Sequence, residues 1–402
     1  MTIPATTEAL ASVKSKRIVL ISHDLGQTGS PLLLVETAVK FREAGANVRL
    51  VTLGNDAHKD NCAARCNIEI LPTQGSFEQC AKADLVIANT AVTWPWVNDY
   101  LKSYSQGGRS LLWWLHEIDA GTYSSQMQSL SRVAAAFFDS HASLRSWKET
   151  GLTLPGIARV IHLGVDDSFL QKIAQSSFAY PRTGIAKVLL GKIRALNRDA
   201  IRKNLRIQPN DFALALMGIS SPKKGHALFL STVGRMLAEN PNLLIKVIVV
   251  GFQSRRARIR FVQGLSEPAQ KALRAIPLVL DATPYYAAAD ALVMNSQGSG
   301  ENFGRVNIEA MAFKLPILGT NGGGTPEIVQ HGVTGLLHPL GEDGQNQLAK
   351  NILTLVNNRQ KAKAMGDAGY RRVQKEFTTA RFYFELGSLL DTVFNQGGRR
   401  GR

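Results

Sequence analysis

A chain of 402 residues, 45% hydrophobic and 19% charged, has room for two ordinary domains and the composition of a packed soluble protein, which excludes a largely disordered one. Its formal charge of +16 favours anionic partners. The basic residues are clustered at 187–206, 255–260, 371–375 and 399–402, without aromatic interleaving or a nucleic-acid motif, so nucleic-acid binding is the minority reading. No apolar run reaches the length of a membrane span, and residues 1–16 lack the apolar core of a secretory signal. Three sparse cysteines, Cys62, Cys66 and Cys80, cannot all pair, which fits a reducing, cytoplasmic setting.

In chain order, 17–22 is a β-branched apolar run and reads as a strand. A glycine turn at 26–30 follows, then helical periodicity over 31–44, with Ser30 as cap, Pro31 in the first turn and Gly45 as the stop. Further strands are expected at 48–53, 84–88, 111–115, 134–139 and 159–162. His58, Cys62 and Cys66 are spaced four apart and could share a helix face. A zinc site there would want four ligands, so two half-buried thiols on a helix are the plainer reading. The second half repeats the alternation, with strands at 213–217, 245–250, 278–280, 291–294 and 316–319 and helices at 227–238 and 306–313. Alternation of this kind predicts an α/β protein with two doubly wound parallel sheets, joined near 164–196. Residues 185–205 carry apolar positions at helical spacing with a basic opposite face. They fit either a solvated helix or peripheral contact with an anionic membrane surface.

In doubly wound sheets, ligands lie beyond the carboxyl ends of the strands. After the strand at 291–294 comes Asn-Ser-Gln-Gly-Ser-Gly-Glu-Asn-Phe-Gly and then a helix. Gly298, Gly300 and Gly304 let backbone approach a ligand, and the helix N-terminus suits a diphosphate. Glu301 and Glu309 can each accept a pair of sugar hydroxyls, one on the transferred sugar and one on the ribose. The loop at 321–327, with Gly322, Gly323 and Gly324, implies a second close approach. In the loop at 218–225, Lys223 or Lys224 could reach a diphosphate as a point charge, or simply be solvated. His116 stands at the carboxyl end of an apolar strand. The turn bearing Gly26 and Gly29 reads G-x-x-G, which is not a dinucleotide fingerprint.

These residues resemble the retaining glycosyltransferases of the large fourth family, which have the GT-B fold. The likeness covers nearly the whole chain. It rests on Glu301 and Glu309 with seven residues between them, on the following Gly-Gly-x-x-x-Glu and Thr-Gly-Leu-Leu segments, on the Gly164-Val165-Asp166 junction, and on Lys224 in a Lys-Gly pair. The runs Trp-Trp-Leu-His-Glu and Ala-Met-Ala-Phe are most similar to a little-characterised plant and bacterial subgroup. The resemblance implies two Rossmann-like domains facing each other across a cleft. It implies a flexible 1–14, an acceptor domain at 15–184, a donor domain at 185–375, a helix at 376–395 packing back on the first domain, and a flexible basic tail at 396–402. It further implies transfer of a hexose from a UDP- or GDP-sugar to a glycan, lipid-linked or small-molecule acceptor, with retention and without metal or other cofactor. His116, Glu301 and Lys224 would act on the reacting sugar and diphosphate. Gly26, Gly29, Lys223, Asn302, Phe303, Gly304, Glu309 and Gly323 would complete the donor site.

One departure stands out. The family's arginine after the glycine ending the first strand of the second domain is replaced by Ile219. That favours, as an alternative, a catalytically silent nucleotide-sugar-binding protein; another GT-B enzyme, such as a sugar-nucleotide epimerase, is a separate alternative. Trp94 and Trp96 could stack on an acceptor or belong to the core.

Overall fold

The structure, a computed structural model, describes residues 4–26, 29–54, 66–104, 110–127, 130–166, 198–279 and 281–399. The chain divides into two compact units, Met1–Leu163 with Thr379–Arg402, and Gly164–Thr378. The domain boundary expected at 184/185 lies outside the described residues, as do His58 and Cys62.

The first unit is built on seven parallel strands: β1 (Arg17–Ser22), β2 (Asn47–Thr52), β3 (Glu69–Leu71), β4 (Leu85–Asn89), β5 (Leu111–Leu115), β6 (Ala135–Phe138) and β7 (Ala158–Val160). Their order is β3-β2-β1-β4-β5-β6-β7. The central strands β4 and β5 are buried at every position. A parallel sheet covered on both faces demands that, and it is why these strands read as unbroken apolar runs. Strand order reverses between β1 and β4, which opens a crevice at their carboxyl ends. Trp94 and Trp96 belong to the core of this unit. Trp94 stacks on Trp113 at 5.6 Å and donates to the Gln126 carbonyl, while Trp96 donates to Ser76 Oγ at 3.1 Å.

Two expectations about the chain ends need correction. Residues 4–14 are not a loose tail: Thr6–Ala9 is a short helix, Ala11–Val13 a 3-10 turn, and Leu10 and Val13 are fully buried. They lie against the helix Thr379–Arg399, where a side chain on Gly387 would come within 2.0 Å of the Ala9 carbonyl. Burial of Leu10 and Val13 offsets the entropy of ordering the segment. The terminal helix itself continues to Arg399, into the residues expected as a tail.

The second unit has six parallel strands: β8 (Phe212–Met217), β9 (Ile245–Phe252), β10 (Leu273–Pro277), β11 (Ala291–Met294), β12 (Ile317–Thr320) and β13 (Gly335–His338), in the order β10-β9-β8-β11-β12-β13. Here the reversal falls between β8 and β11. The strand expected at 278–280 is instead β10, in register with β9 from Leu273↔Val247 onward, and Leu278 is exposed. Arg274 hid that strand. Its guanidinium leaves the sheet to reach the carbonyls of Leu205, Arg206 and Lys271.

The basic segment 185–205 is described only from 198. There the helix Arg198–Asn204 turns two arginines inward. Arg198 and Arg202 pair with Asp290 at 2.7 and 3.1 Å, and Arg202 is buried. In this part, two of the basic residues are internal ties that anchor the helix to the start of β11. Among the described residues, no helix is long and apolar enough to cross a membrane.

Candidate active site

The loops that leave β8, β11 and β12 meet beside the switch point of the second unit. The β8 loop closes in a 3-10 turn, Pro222–Lys224, and enters the helix His226–Glu239 through Gly225 at φ 65°. The β11 loop enters the helix Arg305–Ala312 through Gly304 at φ 86°. Both glycines adopt the left-handed conformation that other residues rarely take. The two loops are stitched together: Gln297 N–H donates to the Lys223 carbonyl at 2.7 Å, and Asn295 Nδ2 donates to the Gly225 carbonyl at 3.0 Å.

The glycine run after β12 has a specific cause. A side chain on Gly323 would lie 2.0 Å from the Glu301 carbonyl oxygen, and one on Gly324 would lie 2.0 Å from that of Asn302. Gly324 N–H donates to the Glu301 carbonyl at 2.8 Å. The close approach that requires these glycines is therefore to the neighbouring loop, and it fixes the backbone of Glu301. Gly323→Ala should then cost about 2 kcal/mol or more, from the clash and from a φ of 61°. Urea denaturation of the variant checks this, and a loss below about 0.5 kcal/mol would remove the packing argument.

Lys224 Nζ stands 2.5 Å from Glu301 Oε2, and Ser296 Oγ donates to the same oxygen at 2.7 Å. Glu301 is mostly buried while Lys224 is a third exposed, so the pair faces solvent from the lysine side. Glu309, on the Arg305–Ala312 helix, receives Tyr286 OH on Oε2 at 2.8 Å and has Arg305 Nε at 3.1 Å from Oε1. Sequence reading passed over Arg305 although its i,i+4 spacing to Glu309 was legible. Tyr286 and Ser296 gave no local signal. Of the other candidates, Lys223 is exposed, with its carbonyl engaged by Gln297. The Phe303 ring is buried, edge-on against Phe377 at 5.9 Å, so what Phe303 can offer a ligand is its backbone. Gly304 is held close, since a side chain there would meet Asn307 Nδ2 at 2.8 Å and Glu301 Cγ at 3.0 Å. Asn302 packs through its carbonyl on Gly324.

Burial also sets the ionisation of two neighbours. It depresses His226, at the start of the β8 helix, to about 4. It does the same to His338 at the end of β13, whose Nε2 lies 3.1 Å from Asn295 Oδ1. A neutral His338 donates to that oxygen and so helps hold the amide that clamps Gly225.

Gly26, Gly29 and His116 stand in the first unit. Gly26 N–H donates to Asp24 Oδ1 at 2.8 Å in a local turn. Gly29 opens the helix Gly29–Glu43, with nothing near where a side chain would go. His116 is nearly buried at the end of β5 and uses both ring nitrogens: Nδ1 lies 2.6 Å from Asp139 Oδ2, and Nε2 lies 2.7 Å from Asn89 Oδ1. Its neighbour Glu117 is half-buried, and desolvation pushes its carboxyl above the usual range. Cys66 and Cys80 are buried, and burial pushes Cys80 up to about 12, which disfavours the thiolate a metal would need.

Comparison with known proteins agrees with this architecture. A family described as "Glycosyl-transferase family 4" matches residues 14–179, and one described as "Glycosyl transferases group 1" matches residues 197–372, so together they account for most of the chain. Curated relatives include the D-inositol 3-phosphate glycosyltransferase of Rhodococcus erythropolis, 27% identical over 37% of this chain and 34% of its own length. The spore coat protein SA of Bacillus subtilis is 26% identical over 48% of this chain and 52% of its own. The chain thus spans about a third to a half of the length of these relatives. Among solved structures, Anabaena HepE in complex with UDP-glucose superposes with a TM-score of 0.74 at 19% identity over 94% of this chain and all of that one. The sucrose-phosphate synthase of Thermosynechococcus elongatus gives 0.66 at 21% identity over 95% of this chain and all of that one. These structural likenesses speak for the fold. With both halves matched and two Rossmann-like sheets on the page, the chain belongs to the group 1 glycosyltransferases of family 4.

Proposed function

We propose that the chain transfers a hexose from a nucleoside diphosphate sugar to a hydroxyl acceptor, with retained configuration and without a bound metal. The observation that carries this reading is the grouping of Lys224, Glu301 and the N-terminus of the Arg305–Ala312 helix at one sheet edge, with Glu309 one turn further on. An ammonium and a helix N-terminus can meet a diphosphate, and two carboxylates can meet hydroxyls. HepE, solved with UDP-glucose, shares the fold and makes that sugar the first donor to test.

In this reading the acceptor attacks on the face that the diphosphate leaves, and the departing phosphate oxygen takes the acceptor proton. Lys224 and the helix N-terminus stabilise the developing charge on that oxygen. Glu301 orients the sugar, and His116 contributes from the first unit. Glu309, steadied by Tyr286 and Arg305, holds the ribose. Calorimetry of Glu309→Ala against UDP-glucose and GDP-mannose should show affinity reduced about 10- to 100-fold, the worth of hydrogen bonds to a charged group. Unchanged affinity for every sugar that binds the parent would end the ribose assignment.

Ile219 favours a second reading, a binding protein without turnover. Release of UDP from UDP-glucose, measured with and without a panel of sugar acceptors, separates the two.

A further inference from the structure

Four buried groups form a hydrogen-bonded chain across the carboxyl edge of the first sheet. At the end of β6, Asp139 is 2% exposed. Its Oδ1 accepts from Trp114 Nε1 at 2.7 Å, and its Oδ2 faces His116 Nδ1 at 2.6 Å. The His116 ring lies against the Trp114 ring with centroids 4.6 Å apart, and its Nε2 faces Asn89 Oδ1 at 2.7 Å. Asn89, fully buried at the end of β4, donates Nδ2 to the Ser30 carbonyl at 3.1 Å, in the first turn of the helix Gly29–Glu43.

The chemistry of these groups constrains one another. A carboxylate only accepts. Asn89 has its amide hydrogens toward Ser30, so its oxygen is toward the ring. Both ring nitrogens therefore face acceptors. Turning the Asn89 amide to present hydrogens to the ring would set its oxygen against the Ser30 carbonyl. The ring and Ser30 cannot be rearranged independently.

We propose that Asp139 and Asn89 are positioning residues: Asp139 fixes the His116 ring, and Asn89 carries that orientation to Ser30, so that the ring and the first turn of the helix Gly29–Glu43 are set as one unit. For turnover, the consequence rests on the transferase reading. The structural claim does not, and the two are tested separately.

The first test is amide hydrogen exchange on the full chain without ligand. Asn89→Ala and His116→Ala should each speed exchange in peptides covering 29–37 by about tenfold, and the double variant should be no faster than either single one. Exchange in β8 to β13 should not change. Asn89→Asp, which keeps the shape and the acceptor for the ring but lacks the hydrogens for Ser30, should speed exchange at 29–37 as much as alanine does. Unchanged exchange at 29–37 in Asn89→Asp, or singles that multiply in the double, would overturn the coupling. The second test is steady-state UDP release from UDP-glucose. Asp139→Asn should lower kcat by about 10²-fold with KM for UDP-glucose unchanged, the signature of a displaced group rather than a lost donor contact. Asn89→Asp, in which the ring keeps its acceptor, should lower kcat much less than Asp139→Asn does. Equal kcat in Asp139→Asn and parent would remove Asp139 as a positioning residue, whatever the exchange experiment shows.

Discussion

Lys224→Ala should lower kcat for UDP release from UDP-glucose by about 10²–10³-fold, the range found when one preorganised charge-stabilising donor is removed from a site. Stability should hardly move. The Lys224–Glu301 pair is a third exposed on the lysine side, and ion pairs in such settings contribute about 0–1 kcal/mol. Glu301 would keep its hydrogen bond from Ser296 and its backbone clamp from Gly324. A large loss of rate with an almost unchanged melting temperature is therefore the expected pattern. Lys224→Arg should recover little, because a planar guanidinium does not replace a compact ammonium 2.5 Å from a carboxylate. Lys223→Ala is the matched control: its side chain is exposed on the same turn, and the loss of Ile219's usual arginine gives it a reason to matter. If Lys223→Ala is the damaging change and Lys224→Ala is silent, the diphosphate contact belongs to Lys223, and the Lys224–Glu301 pair is structural. If both are silent, the charge-stabilising role fails outright.

The reach of sequence reading follows from where the partners of each residue lie. Strands β1, β5 and β11 were legible to the residue, since a parallel strand buried on both faces must be an apolar run with turns at its ends. The short β3 and β13 escaped, because Glu-Ile-Leu and Gly-Leu-Leu-His carry no period over three or four residues. β13 starts at a glycine for a reason visible only in three dimensions: a side chain there would come 2.1 Å from the Ile317 carbonyl. Glu301, Gly304 and Glu309 could be picked out because they share one short stretch around a strand-to-helix turn. The glycines at 322–324 declared that something must come close without saying what. For Gly323 and Gly324 it is backbone more than twenty residues earlier, and for Gly322 it is the Leu340 side chain. Tyr286 reaches Glu309 from a helix that precedes β11. Asp139 and Asn89 reach His116 across 23 and 27 residues. A polar residue whose partner arrives from another strand end looks, in sequence, like any other polar residue at a strand end.

Acid should disable the second unit before the first, and the sign follows from its two buried histidines. An unfolded histidine titrates near 6.5, whereas burial holds His226 and His338 at about 4. Between those values the unfolded chain binds more protons than the folded one, so stability rises with pH across that window. It is fully present above about pH 6.5 and is lost as pH falls toward 4, by about 3 kcal/mol for each histidine at most. Such a loss is a large part of the stability of an ordinary domain. In the first unit Glu117 works in the opposite direction: its raised carboxyl makes the folded state the better proton binder above the ordinary glutamate range, so acid does not weaken the fold through it. The five tryptophans, Trp94, Trp96, Trp113, Trp114 and Trp147, all lie in the first unit. Fluorescence therefore follows that unit alone, and hydrogen exchange in peptides from β8, β9 and β11 follows the other. Lowering pH from 7.5 to 5 should raise opening in those peptides, after correction for the intrinsic pH dependence of exchange, well before tryptophan emission shifts. His338→Gln, which can still donate to Asn295 Oδ1, should flatten the dependence. Should the His226→Gln/His338→Gln double variant keep the full acid sensitivity, carboxylates and not these histidines would govern it.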